Sequence, residues 1–179
     1  MLRALKALTV AFALTAALTA GAGAAGAQAP PSTVRGTFKI LFPKGHPASN
    51  APCPSDAFCG VGALVGFGPA TVTILDESFA EIEGSSCLAV ERTESIDLLD
   101  GSGSLVIQSS GTFCRPGGSG DSHAGPQSYG SPGRFEFSFT VDGAESTGVF
   151  AGATGDGTEK MNVSGGVGVW LFSGRIALS

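Results

Sequence analysis

The chain predicts an all-β domain, closed as an antiparallel barrel of about eight strands, with an Ig-like β-sandwich as the alternative. Three observations carry that expectation. Glycine is abundant, 28 residues without a triplet period, and glycine at that density destabilises helix interiors. Several segments alternate apolar and polar residues with a period of two, the mark of a half-buried strand. Turn dipeptides such as Asp100-Gly101 and Asp142-Gly143 separate these segments at short spacing, and no helical stretch is long enough for a crossover between parallel strands.

The first residues read as an export signal. Arg3 and Lys6 form a positive start, Ala7 to Ala20 an apolar run, and Gly21 to Ala29 a small-residue exit. The run is shorter than the roughly twenty residues that span a bilayer, and the order of its parts is that of a secretory signal peptide. Cleavage is expected after Ala27 rather than after Ala29, where Pro30 would follow the cut. The mature chain, 28–179, then has no membrane span and is expected outside the cell. Residues 28–58 supply an N-terminal strand and loop, and 59–179 the main barrel region of the same domain.

Along the mature chain, Val34, Phe38, Ile40 and Phe42 share one parity against Arg35, Thr37 and Lys39, which predicts a strand. A Pro/Gly/Asn-rich loop runs from Pro43 to Cys59. Residues 60–75 read as two strand pieces bent at Gly68-Pro69, since proline removes a ladder donor. A short piece over 78–82 leads to a long hairpin, 87–99 and 102–114, around a two-residue type I′ turn at Asp100-Gly101. Residues 115–133 lack apolar periodicity and read as a surface loop. Phe135, Phe137, Phe139 and Val141 alternate with Glu136, Ser138 and Thr140 in the clearest strand. Further strands are expected over 147–151, 158–163 and 167–178.

Four cysteines, Cys53, Cys59, Cys87 and Cys114, fall in the exported part, and an even count there predicts a disulfide framework. The hairpin register sets Leu99 opposite Ser102, Ile96 opposite Leu105 and Cys87 opposite Cys114. Cys53 and Cys59 remain to close a short loop. In this register the Cys87/Cys114 position is a hydrogen-bonded pair. The spacing of the four matches no common zinc pattern, so no metal is expected.

Removing Arg3 and Lys6 takes the 10 Lys and Arg to 8 against 15 Asp and Glu, a net charge near −7. An acidic surface without a basic patch argues against nucleic-acid binding. The stretch S-T-G-V-F-A-G-A-T-G-D-G-T over 146–158, with Gly148, Gly152, Gly155 and Gly157, raises a phosphate-loop question. It lacks the lysine such a loop needs and places Asp156 where the anion would sit. A calcium loop would need further alternating Asp or Asn donors. These glycines therefore serve the fold, by bending a strand or letting backbones approach, and no cofactor is expected.

That stretch looks like the T-G-x-F-A-G-A-T-G signature of exported bacterial proteins similar to the allene-oxide-cyclase-like barrel superfamily, which includes dirigent proteins. C-G-V-G-A-L-V-G-F-G-P-A-T over 59–71 and I-D-L-L-D-G-S-G-S-L-V-I over 96–107 fit the same pattern. The resemblance implies a six- to eight-stranded barrel with a cavity. It carries over no catalytic residue, because no position matches a catalytic motif.

The residues themselves offer few candidates for chemistry. His46 and His123 lie in expected loops and read as solvated. Arg92 and Glu94 share the hairpin face of Leu88, Val90, Ile96, Leu105 and Ile107, the face that would line a barrel. A cavity-facing carboxylate paired with a guanidinium is the kind of group that performs acid–base work. The leading expectation is a non-catalytic extracellular protein that holds a small apolar molecule or acts through its surface. A cofactor-free cyclase or isomerase and an adhesion sandwich are the alternatives. The sequence sets no oligomeric state.

Overall fold

The structure, a computed structural model, describes residues 30–41, 58–115 and 132–179. Its elements are β1 (Ser32–Leu41), β2 (Cys59–Leu64), β3 (Gly68–Glu81), β4 (Cys87–Leu98), β5 (Gly103–Cys114), β6 (Gly133–Val141), β7 (Thr147–Gly148), β8 (Thr154–Ser164) and β9 (Val167–Ala177). Eight of them pair antiparallel with their neighbours in an up-and-down order, and β9 pairs back onto β1 from Ser32↔Ile176 to Leu41↔Val167. The two-residue β7 hangs on the start of β5. Closure leaves the barrel without an open edge, which excludes the two-sheet sandwich.

The period-two pattern decides what lies inside. Val34, Phe38 and Ile40 of β1, Phe135, Phe137 and Phe139 of β6, and Trp170 and Phe172 of β9 all point inward and are buried. Large rings need room in a narrow barrel, and glycine supplies it. The Phe139 ring stacks on Phe172 with centroids 4.5 Å apart. A Cβ at Gly157 or Gly174 would lie 2.5 Å from that same ring.

One end of the barrel is plugged by the glycine-rich stretch. Phe150 is fully buried there and packs against Phe67, centroids 4.8 Å apart. Gly148 takes φ +59° while passing so close to Ser102 that a side chain would strike its carbonyl. The Ser146 hydroxyl accepts from the Val106 N–H at 2.9 Å and donates to the Asp142 carbonyl at 2.7 Å, tying the plug to the wall. β1 ends, β2 begins, β5 ends and β6 begins at the opposite end.

Several elements differ from expectation for identifiable reasons. The chain reverses at 65–67, with Phe67 N–H bonded to the Leu64 carbonyl, and Pro69 lies inside the start of β3. The piece expected over 78–82 belongs to β3, which continues through a bulge at Leu75. The strand expected over 147–151 shrinks to β7 because the chain turns at once to set Phe150, and β8 begins earlier than expected, at Thr154.

The 87–114 hairpin keeps its register of facing residues throughout, from Cys87↔Cys114 to Asp97↔Ser104. Its turn, however, is not type I′. That turn needs positive φ at both central residues, and only Gly101 has it, at +75°. Gly101 N–H bonds to the Leu98 carbonyl at 3.0 Å, so Leu99 to Ser102 form a four-residue loop and Leu99 does not pair with Ser102. The longer loop moves the hydrogen-bonded positions by one residue. Cys87 and Cys114 then form a close pair, Cα atoms 4.2 Å apart, instead of a hydrogen-bonded one, and they are joined by a disulfide. Cys59 is disulfide-bonded as well. Cys53, its expected partner, lies outside the described residues, as do the 1–27 segment and nearly all of the 115–133 loop.

Candidate functional site: an ion cluster sealed in the barrel

The centre of this apolar interior holds charge. Arg92 and Glu94 come from β4, Ser109 from β5, Glu159 from β8 and Glu77 from β3. Glu159 reaches its partners across the barrel, since β8 and β4 are not neighbours. The bulge at Leu75 brings in Glu77. An unbroken strand would continue the inward parity of Ala70, Val72 and Ile74 to Asp76; the extra residue turns Asp76 to solvent and Glu77 towards Arg92.

Arg92 is the hub. Its Nε meets Glu94 Oε1 in a very close ion pair, its Nη2 donates to Glu159 Oε2 at 3.0 Å, and its Nη1 lies 3.9 Å from Glu77 Oε1. The Ser109 hydroxyl lies 2.8 Å from Glu94 Oε2 and 3.2 Å from Glu159 Oε1, bridging the two carboxyls. The guanidinium carbon sits 4.1 Å from the centre of the Phe137 ring and 5.2 Å from that of Trp170, a cage suited to a planar cation. The side chains of Arg92, Glu94 and Glu159 are 1%, 0% and 0% exposed. Two donors inside, Arg92 Nη1 and Trp170 Nε1, have no hydrogen-bond acceptor among the described residues.

Three carboxylates cannot all be balanced by one guanidinium. Burial pushes the Glu94 carboxyl well above the usual carboxylate range; Arg92 opposes that shift and the nearby charge of Glu159 adds to it. Burial raises Glu159 too, against the pull of Arg92 and of hydrogen bonds from Glu94 and Ser109. Two carboxyls that share a site share a proton. Of the two, the Glu94 carboxyl is raised further, and Glu159 faces Arg92 Nη2.

Of the residues singled out from sequence, Arg92 and Glu94 are brought together inside the barrel, and His46 and His123 lie outside the described residues. Gly148, Gly152, Gly155 and Gly157 shape the plug and the start of β8. Sequence reasoning missed Glu159, Ser109 and Glu77. Glu159 was within reach, because it shares the parity of buried Met161 and Val163 on β8. A groove of about 430 Å³ lies over β3 to β6; most of its lining residues are polar, among them Asp76, Glu91, Thr93 and Gln108, and it also includes Arg92 and Ser109 of the cluster.

The raised carboxyls set a pH dependence. Both bind protons more readily in the folded chain than at the ordinary value of 4.5. Their contribution to stability is therefore fully present below pH about 4.5 and is lost as pH rises through the folded values. Denaturant titrations at pH 5 and pH 8 should show Glu94→Gln stabilising the protein at pH 8 relative to the parent and changing it little at pH 5. An equal effect at both values would mean that Glu94 holds no extra proton.

Compared with protein-family models, with curated proteins and with solved structures, the chain matches none of them.

Proposed function

We propose that this is a secreted barrel that binds one small apolar molecule in its interior, with the Arg92 cluster as its polar anchor. The observation that carries this reading is the sealed cluster itself. Breaking such a buried pair is costly, yet apolar side chains of the same volume would hold a barrel together at least as well. Stability alone gives no reason to keep it. Ligand sites, by contrast, are mostly apolar walls with a few convergent polar groups, and eight-stranded barrels are of a size to hold one small ligand. The end opposite the Phe150 plug offers a way in, where Phe79 and Leu88 are only half-buried. The resemblance to allene-oxide-cyclase-like barrels agrees with this reading, and the signal-like start together with the disulfides supports export.

Mass spectrometry of unreduced protein from culture supernatant tests it. The native mass should exceed the denatured mass by that of one small molecule. Equal masses, together with no uptake of a neutral apolar fluorophore, would contradict the proposal.

A second reading, a cofactor-free isomerase or cyclase, is favoured by the proton shared between Glu94 and Glu159. Two adjacent raised carboxyls could supply the acid and the base that such catalysis requires. In deuterated water the retained molecule should then exchange carbon-bound hydrogen. Glu94→Gln should slow that exchange by about 100-fold or more. Unchanged exchange in the variant would remove Glu94 from any catalytic role.

A further inference from the structure

We propose that the interior selects a neutral molecule carrying one oxygen acceptor, such as a ketone, aldehyde or ether, which accepts hydrogen bonds from Arg92 Nη1 and Trp170 Nε1. This rests on the ligand-binding reading above and narrows it to a chemical class.

Buried donors in folded proteins almost always find an acceptor. Here two fully buried donors have none among the described residues. They belong to one cage, since the Arg92 guanidinium carbon lies 5.2 Å from the Trp170 ring. Glu77 Oε1, which pairs with Nη1 at 3.9 Å, is beyond hydrogen-bond reach. Neither an indole N–H nor a guanidinium can accept, so the missing partner is an acceptor.

Charge and surroundings define the rest of the molecule. Arg92 already faces Glu77, Glu94 and Glu159, so an anionic guest would add negative charge where it is already in excess. A neutral oxygen meets the donors without that repulsion. The neighbouring walls are apolar, with Phe38 5.6 Å from the Trp170 ring and Phe137 against Arg92. A guest of this description is apolar everywhere except at its oxygen.

An isosteric pair of probes isolates the oxygen: cyclohexanone, and methylenecyclohexane with CH₂ in its place. Trp170 is the only tryptophan, so the intact protein gives a single indole N–H cross-peak in a ¹H–¹⁵N spectrum. Cyclohexanone should bind at least about tenfold more tightly than the alkene, the worth of one buried hydrogen bond, and should displace that cross-peak. Trp170→Phe, which keeps a ring and removes the donor, should narrow the ratio. Equal binding of the two probes with an unmoved indole peak, as when an ordered water fills both donors, would overturn this inference and leave the ligand-binding reading standing. Exclusion of both probes would overturn the two together.

Discussion

Arg92, held among three glutamates with no access to solvent, is the constraint around which the rest of this barrel is organised. A guanidinium taken out of water is tolerable only if its charge is matched and its donors are engaged. Glu94 does this from the same strand and Glu159 from across the interior, while a bulge brings Glu77 near enough to balance charge without a hydrogen bond to Nη1. The faces of Phe137 and Trp170 supply the remaining contact. Burial, with the charge of Glu159 beside it, then raises the Glu94 carboxyl well above the usual range. Each feature answers the one before it.

Such a cluster needs shielding from water, and the wall provides it through two devices. Ring stacking needs glycine on the facing strands: Phe139 fits only because Gly157 and Gly174 lack side chains. Closure at one end needs the 146–157 stretch, whose glycines allow the tight passage that sets Phe150 into the core. The Cys87–Cys114 disulfide fastens the start of β4 to the end of β5 at the other end, where half-buried Phe79 and Leu88 leave the wall less tightly packed. In the loop-entropy picture a closure of that length is worth about 3.5 kcal/mol. The barrel is thus plugged by packing at one end and tied by a disulfide at the other.

The sequence made the wall legible and the centre only half so. Period-two alternation marks β1, β6 and the hairpin without ambiguity, and the Cys87/Cys114 register followed from counting along that hairpin. The turn type did not follow, because Asp-Gly suits both a two-residue and a four-residue loop with the same facing pairs, and only backbone angles separate them. Arg92 and Glu94 could be assigned to one face because they sit on one regular strand. Glu77 could not, since a bulge inverts parity and carries no residue signature at Leu75. Glu159 shows its parity on β8, but nothing in a single strand tells which distant strand it will meet.

The most direct test of the shared proton is ¹³C NMR of the glutamate side-chain carboxyls across a pH series, assigned by Glu94→Gln and Glu159→Gln. The account predicts that both carboxyls titrate above the ordinary glutamate range, Glu94 the higher of the two. Ionisation of both near the ordinary glutamate range would contradict it, and with it the reading of this cluster as a poised polar centre.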